Sequence, residues 1–368
     1  MTAPLRVGVV GAGKISGQYA ATLAALPSVA VTAVADLAPE RAEAMAAALP
    51  GAAVRPLDDL VAADDVDLVL NLTIPAAHAE VALAAIAAGK HVHGEKPLAA
   101  TGPDARRVVE AAAAGGVRLG CAPDTVLGTA VQTARAVVGA GAIGVPHAAT
   151  AFMTTPGHEL WHPDPEFYYR PGGGPLLDMG PYYLTALVHL LGPVTRVVGL
   201  SARPRAARTI GSGPRAGTTF DVEIDTHVTG VLQHAGGALT TLVMSFDVWA
   251  AELPRIEVHG PGGSLSVPDP NHFEGPVRLH RAGDDAWAQV PPSAGYVDGG
   301  RGIGVADLAL GLASGAPHRA AADVALHVLD VMESLLEAAR TGEARTVGST
   351  CEVPPAVEGL VDLRLRAG

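Results

Sequence analysis

Lysine is scarce in this chain. Of its 25 Lys and Arg residues only Lys14, Lys90 and Lys96 are lysines, so arginine carries the ordinary surface charge and a lysine asks for a chemical reason. Lys96 stands near the end of the stretch His91-Val92-His93-Gly94-Glu95-Lys96-Pro97. An arginine stays charged at any working pH, whereas an ammonium on a flexible stem approaches one oxygen as a point donor and shifts its pKa readily. A second group with chemical meaning lies at the other end of the same half. Gly11-Ala12-Gly13-Lys14-Ile15-Ser16 follows directly on an apolar run over residues 5–10, which reads as strand, tight turn and helix. In that setting Gly11 permits the turn, and Gly13 lets the backbone approach a pyrophosphate at the helix N-terminus, where free N–H groups and the dipole favour anions.

Ser16 replaces the third glycine of that fingerprint and is small enough for close helix packing. The next strand, residues 29–35, ends in Asp36, about 20 residues beyond Ser16, where a carboxylate accepts hydrogen bonds from an adenosine ribose. It also repels a 2′-phosphate, and Leu37 offers no phosphate ligand, so NAD is preferred over NADP; Arg41 softens that preference. Lys14 and Ile15, at the start of the helix, join Gly11, Gly13 and Asp36 as candidate cofactor contacts.

The elements that must position these groups alternate in type. A helix is predicted from Ile15 until Pro27 stops it, a second over residues 39–49, a strand over 67–72 and a helix ending at Ala88, closed by Gly89. Between the last two comes Thr73-Ile74-Pro75-Ala76-Ala77-His78, at the carboxyl end of a strand, the edge where doubly wound sheets bind ligands. Thr73, Pro75 and His78 are therefore candidate cofactor contacts, with helix capping as the other reading of His78. A strand over 90–95, a helix from the capping box Thr101-Gly102-Pro103-Asp104 to Ala114 and a strand over 117–121 complete a parallel α/β half.

After Cys121 the alternation stops, and the boundary is placed near Ala122-Pro123: residues 1–123 form a Rossmann dinucleotide-binding domain, and residues 124–368 a second domain for substrate whose last residues pack back on the first. A connecting helix is predicted over 124–138. Strands follow over 148–154, 196–202, 222–232, 238–249 and 255–259, with a hairpin turn at His234-Ala235-Gly236-Gly237, so this sheet is largely antiparallel. Seven of the fourteen aromatic residues fall between Phe152 and Tyr183. Clustered in an aromatic-poor chain, with His158, His162 and Arg170 among them, they suggest either a wall for a ligand with apolar faces and polar edges, as a sugar ring has, or a hydrophobic cluster fixing a long loop. His158, Trp161 and Tyr168 are the substrate-binding candidates. Gly172-Gly173-Gly174-Pro175 then leads into a helix on which Asp178, Tyr182, Thr185 and His189 share one face. A polar stripe on a partly buried helix must find partners or a ligand. Further on, Tyr296 and Arg301, in a loop over 291–304, either line the site or cover it.

The totals exclude other classes. A net charge of −12 argues against a nucleic-acid backbone or an anionic membrane as partner. Cys121 and Cys351 are isolated, so neither a disulfide framework nor a zinc site is indicated, and His147, His158 and His162 are not read as a metal site. With a strand beginning within five residues of the start and no apolar run long enough to span a bilayer, a cytoplasmic protein is expected.

Taken in order, GAGKIS, the strand-end Asp36, TIPAAH, AGKHVHGEKPLA and GGGPLLDMGPYY resemble the Gfo/Idh/MocA family of nicotinamide-dependent sugar and polyol oxidoreductases over nearly the whole chain. The resemblance implies that Glu95-Lys96-Pro97 abuts the nicotinamide, that Lys96 contacts the reacting oxygen, and that the Lys96–Pro97 peptide is cis. It implies an open C-terminal sheet whose outer face joins a homodimer or homotetramer. The family pattern places a catalytic aspartate, here Asp178, and a histidine four residues later, where this chain has Tyr182. Tyr182 is then expected to act as general acid/base, its phenol pKa lowered by the nearby ammonium, with Asp178 orienting the substrate or sharing the proton, and His189 structural. The expected activity is NAD-dependent hydride transfer with a secondary alcohol of a sugar, cyclic polyol or glycoside. The same machinery admits glycoside cleavage by transient C3 oxidation and elimination, and some relatives are nucleotide-bound sensors; the presence of Lys96 and Asp178 speaks against the last.

Overall fold

The computed structural model of the chain describes residues 3–365; the first two and last three residues, the outer ends of the two predicted domains, lie outside the described residues. The first half alternates β1 (Leu5–Val10), α1 (Ser16–Ala24), β2 (Val29–Ala35), α2 (Pro39–Ala47), β3 (Ala53–Val54), α3 (Leu57–Ala62), β4 (Leu68–Asn71), α4 (Pro75–Ala87), β5 (His91–Gly94), α5 (Gly102–Gly115) and β6 (Leu119–Cys121). Local sequence accounts for several of these limits. Prolines sit in the first turn of α2, α4 and α5, where their missing N–H costs nothing, and Thr101 accepts from Asp104 N at 3.3 Å as the predicted cap of α5.

The six strands pair in parallel in the order β3-β2-β1-β4-β5-β6. Strand order reverses between β1 and β4, which creates the crevice where such sheets take ligands. The glycine turn after β1, the Thr73 loop after β4 and Glu95-Lys96 after β5 all leave the sheet along this one edge. At the turn, Gly11 has φ of 99°, and a Cβ there would stand 2.7 Å from the Leu72 carbonyl, so β1 and β4 can be this close only with glycine. β3 and α3 are additions to the predicted order: a two-residue exposed edge strand and a six-residue helix carry too few apolar positions to show a period.

The second half corrects two predicted elements, the strand expected over 222–232, which begins only at His227, and the connecting helix. The connecting helix is broken into a 3-10 turn, Asp124–Leu127, and α6 (Thr129–Gly139), because Gly128 packs directly on the Phe273 backbone. Then follow β7 (Ala148–Thr154), α7 (Pro175–Leu191), β8 (Val194–Ala202), β9 (Ala207–Thr209), β10 (Thr219–Asp221), β11 (His227–His234), β12 (Leu239–Ser245), β13 (Ile256–Gly260), β14 (Gly263–Val267), β15 (Val277–Arg281), β16 (Ala288–Val290), β17 (Gly295–Tyr296), α8 (Ile303–Ser314), α9 (Ala322–Thr341), β18 (Arg345–Thr346) and β19 (Leu360–Val361). Nine of these strands form one sheet, β16-β15-β14-β13-β7-β12-β11-β8-β18, antiparallel except for the parallel pair β7 and β12. The hairpin at His234–Gly237 joins β11 to β12, with Gly237 N donating to His234 O at 2.9 Å.

Alternation within the strands gives this sheet two faces. Val194 and Val197 point into the core, which α7 and α9 cover, whereas Val198, Leu200, Val231 and Leu239 are exposed, Leu200 by 65%. The C-terminal strand β19 pairs with β17, and beyond it Leu363 and Arg364 face Ala21 and Thr22 of α1 across a cavity of about 250 Å³. Among the described residues no helix is long and apolar enough to cross a membrane.

Candidate active site

Lys96 leaves the sheet edge through a turn that its neighbours fix. Glu95 N donates to Asn71 O at 2.9 Å, and the Glu95 carboxylate accepts from Tyr19 Oη at 2.7 Å and from Lys96 N at 2.9 Å. The Lys96–Pro97 peptide is cis. From this turn Lys96 Nζ crosses to α7 and donates to Asp178 O at 2.7 Å and to Asp178 Oδ1 at 2.9 Å. An ammonium has three N–H groups, so one remains uncommitted among the described residues, and the side chain keeps 16% of its surface. Burial alone would push the amine's pKa down, but Asp178, Tyr182 and Glu95 outweigh it and hold Lys96 charged above its ordinary range.

Asp178 reaches this position because α7 opens at Gly174-Pro175 and carries it in the first turn, where the helix dipole favours a carboxylate. Its other oxygen, Oδ2, lies 3.0 Å from His158 Nε2. Burial would raise this carboxyl, yet Lys96 and His158 hold it well below the usual carboxylate range. His158 is gripped in turn by rings: Phe246 at 4.4 Å between centroids, Tyr168 at 4.5 Å and Trp161 at 5.2 Å. Its backbone N–H donates to Tyr169 Oη at 3.0 Å, Tyr169 donates to the Glu159 carboxylate, and Arg208, fully buried in its side chain, pairs with Glu159 at 2.8 Å and Asp247 at 2.6 Å. A buried polar network of ion pairs and hydrogen bonds therefore fixes a loop that has little regular structure of its own, although Arg208 Nε and His158 Nδ1 find no partner among the described residues.

The string His158-Glu159-Leu160-Trp161-His162 has a spacing that would put two histidines on one face of a helix. Here it forms a 3-10 turn over His158–Leu160, with Glu159 spent on the network and His162 Nδ1 accepting from Asp164 N at 3.1 Å. The two imidazoles are thus committed to different partners.

Tyr182 lies one turn beyond Asp178, with Lys96 Nζ 5.2 Å and Arg301 Cζ 5.0 Å from its ring centroid. Its phenol corrects an expectation. Burial pushes the pKa up by more than Lys96 and Arg301 pull it down, so the group is a weaker acid than ordinary tyrosine. Tyr168 beside it is likewise pushed up, to about 12, chiefly by burial and then by Asp178. Arg301 lines this site, donating to Asn271 Oδ1 at 2.6 Å, whereas Tyr296 turns away and donates to Asp307.

On the cofactor side the residues fit a dinucleotide. The space beside Gly13 is open, with no atom within 4 Å of where a Cβ would stand, and Leu37 and Ile74, at the ends of β2 and β4, leave apolar side chains in solvent. Asp36 accepts from Ala12 N at 2.7 Å and Ala38 N at 2.8 Å, so it braces the turn, and as a half-buried carboxylate it has acceptor capacity beyond these two bonds. His78 is a correction. Only 2% exposed, its ring nitrogens lie 2.6 Å from Pro97 O and 3.0 Å from Thr73 O, tying the Thr73 loop to the Lys96 loop and offering the cleft no free polar atom. Asn71, unmarked by any sequence signal beyond its strand-end position, holds that loop through Thr73 Oγ1 at 2.6 Å and His78 O at 3.0 Å.

The structure thus brings Lys96, Asp178, Tyr182, His158 and Tyr168 to one place, with Trp161 and Lys14 at its rim. It takes Thr185 and His189 to a small internal cavity beside Cys121, and buries the Tyr183 ring fully. Phe246, Asn271 and Arg208 belong to the site's frame but lie far along the chain from the aromatic segment.

Comparison with known proteins gives the family and the fold. Residues 5–122 match the model of the oxidoreductase family with an NAD-binding Rossmann fold, and residues 131–266 match the GFO/IDH/MocA C-terminal domain. The chain is 32% identical over 312 residues to a dTDP-3,4-didehydro-2,6-dideoxy-alpha-D-glucose 3-reductase of Streptomyces violaceoruber, covering 79% of this chain and 90% of that one. It is also 32% identical over 268 residues to a 1,5-anhydro-D-fructose reductase of Ensifer adhaerens, covering 71% and 74%. Among solved structures, an NAD binding oxidoreductase from Klebsiella pneumoniae superposes with a TM-score of 0.82 at 25% identity, covering 94% of this chain and 99% of that one.

Proposed function

Since the chain belongs to the Gfo/Idh/MocA family of NAD-binding oxidoreductases, we propose that it transfers hydride between NAD and a secondary alcohol or the corresponding ketone of a sugar, cyclic polyol or glycoside. The observation that carries this reading is Lys96. Its ammonium, from the NAD-binding half, is bound twice by Asp178 of the other half and, among the described residues, keeps one N–H free at the ligand-binding edge of the sheet. The sugar reductases among the relatives support a carbohydrate substrate.

The cofactor is held by Gly11, Gly13, Lys14, Ile15, Asp36, Thr73, Pro75 and Glu95, with His78 acting through the two loops it joins, and when bound it supplies the hydride acceptor or donor. Lys96 donates its free N–H to the carbinol oxygen and steadies the charge that develops there. A preorganised donor of this kind contributes about 3–4 kcal/mol to the transition state. Asp178 is pinned as a carboxylate by Lys96 and His158, which suits it to aiming the ammonium rather than to carrying the proton. In the reducing direction the Tyr182 hydroxyl gives its proton to the carbinol oxygen as hydride arrives and is left as a phenolate that the Lys96 charge steadies; in the oxidising direction that phenolate takes the alcohol proton back. His158, Trp161 and Tyr168 supply the wall for the sugar. The exposed row Val198, Leu200, Val231 and Leu239 supports assembly into a homodimer or homotetramer through the open sheet face.

The test is a panel of polyols, aldoses, ketoses and glycosides with NAD(H) and NADP(H), followed by absorbance of the reduced cofactor. Stoichiometric change in NADH with at least one member is expected. A cleaved glycoside without net NADH would assign the oxidation and elimination route instead, and no cofactor change or cleavage with any member would overturn the reading. Cofactor choice has its own check: Asp36→Ser should shift the ratio of NADPH to NADH affinity by about tenfold or more toward NADPH, worth ~1.4 kcal/mol, as read by nucleotide fluorescence. An unchanged ratio would remove Asp36 from cofactor discrimination.

A further inference from the structure

Lys14 and Trp161 meet from different halves of the molecule. Lys14 lies in the glycine turn at the start of α1, Trp161 in the loop after β7, and Lys14 Nζ stands 5.1 Å from the indole centroid. Trp161 is 53% exposed, so a large aromatic surface is left beside the cleft with an ammonium over its ring. The space at Gly13, next to Lys14, is open. Phosphates resting on the α1 N-terminus would therefore lie beside this contact.

Residue choice adds to the geometry. Lys90 is spent on Ala63 O at 2.8 Å, which leaves Lys96 and Lys14 as the two lysines of the cleft. Arginine, the chain's usual cation, stacks on aromatic faces more strongly than lysine does, so a lysine here makes a contact that releases more readily. Trp161 also packs edge-on against His158 at 5.2 Å, and His158 holds Asp178. The glycine turn and the reacting site are thereby joined by one continuous row of contacts.

We infer that Lys14 and Trp161 form a clasp beside the bound dinucleotide, and that its opening sets the rate of cofactor release. Trp161 is then a cofactor-retaining residue as well as part of the sugar wall. The inference rests on the cofactor placement proposed above, which equilibrium NADH binding by the unaltered protein tests separately.

A double-mutant cycle on NADH dissociation decides it, measured by stopped-flow fluorescence with excess NAD as competitor. Lys14→Met and Trp161→Leu should each speed release about two- to fivefold, the factor an exposed cation–π contact is worth, and the double variant should release no faster than the faster single one. Lys14→Arg should keep the wild-type rate or slow it. Multiplicative single effects would mean that Lys14 acts only on phosphate and Trp161 only by packing, and would overturn the clasp. Unchanged release in either single variant would overturn it too. Both side chains are solvent-exposed at the rim, so folding is preserved, and circular dichroism verifies this for each variant.

Discussion

Replacing Lys96 with methionine should slow single-turnover hydride transfer by about 10²–10³-fold, the loss expected when one preorganised donor is removed from a developing oxyanion, while NADH affinity changes by less than about threefold. Methionine keeps most of the stem that lies by the Tyr182 ring, so packing is largely preserved and the missing ammonium is what is measured. The cofactor cradle at Gly11, Gly13 and Asp36 is untouched, which is why binding and chemistry separate. Turnover within tenfold of wild type would take Lys96 out of the mechanism. So would a loss of NADH binding as large as the loss of rate, because the defect would then lie in the cradle.

Asp178→Ala should have the second largest effect, and in two readouts. It leaves the Lys96 ammonium in a largely buried position without its carboxylate, a change that costs about 3–5 kcal/mol when a pair is fully buried. Lys96 keeps 16% of its surface, so the lower end applies, and the thermal midpoint should fall by roughly 5–10 °C. Turnover should fall together with stability because the ammonium is no longer aimed. The pH dependence has a definite sign. The folded-state pKa of Asp178 is held below the usual 3.8, so the stability it contributes is present above 3.8 and is lost as pH falls through the depressed value. Lys96 is raised above 10.5, so its contribution is present below 10.5 and is lost as pH rises through the raised value. The wild-type contribution of this pair is therefore constant from about pH 5 to 9. In Asp178→Ala the buried amine has lost its main counter-charge, so it sheds its proton at lower pH than in wild type, and the difference in stability should shrink as pH rises toward alkali and again toward acid. A difference that grows as pH rises would show that another group dominates.

Much of the first half is legible because each signal is local. The run over Leu5–Val10, the glycine turn and the Thr101 cap are decided by neighbouring residues, and the parallel sheet follows from their alternation. β3 and α3 are not legible because an edge strand of two exposed residues has no period to read. The break at Gly128 is hidden for a different reason: it is set by contact with Phe273, far along the chain. β14, β15 and β16 fall in a stretch where glycine, proline and charge interrupt the alternation.

The site divides along the same line. Lys96 stands out through lysine scarcity, and Asp178 and Tyr182 through their shared helix face, so residue type and spacing suffice to nominate them. The pairing of His158 with Asp178, and the ring of Phe246 against His158, depend on a loop held by Arg208, Glu159 and Asp247, and no sequence pattern links these positions. Tyr182 shows the limit most plainly. Its neighbour Lys96 was visible from the motif, but the burial that outweighs that charge and raises the phenol pKa is a property of the packed interior.

The central claim is that the free N–H of Lys96 is directed at the reacting oxygen while Asp178 and His158 hold it there. A crystal structure with cofactor and the polyol or sugar identified by the panel measures this directly. The account predicts a carbinol oxygen within about 2.6–3.2 Å of both Lys96 Nζ and the Tyr182 hydroxyl, with Asp178 still bridging Lys96 and His158. A sugar bound with its reacting carbon out of reach of Lys96, or an ammonium turned wholly onto protein acceptors, would contradict it.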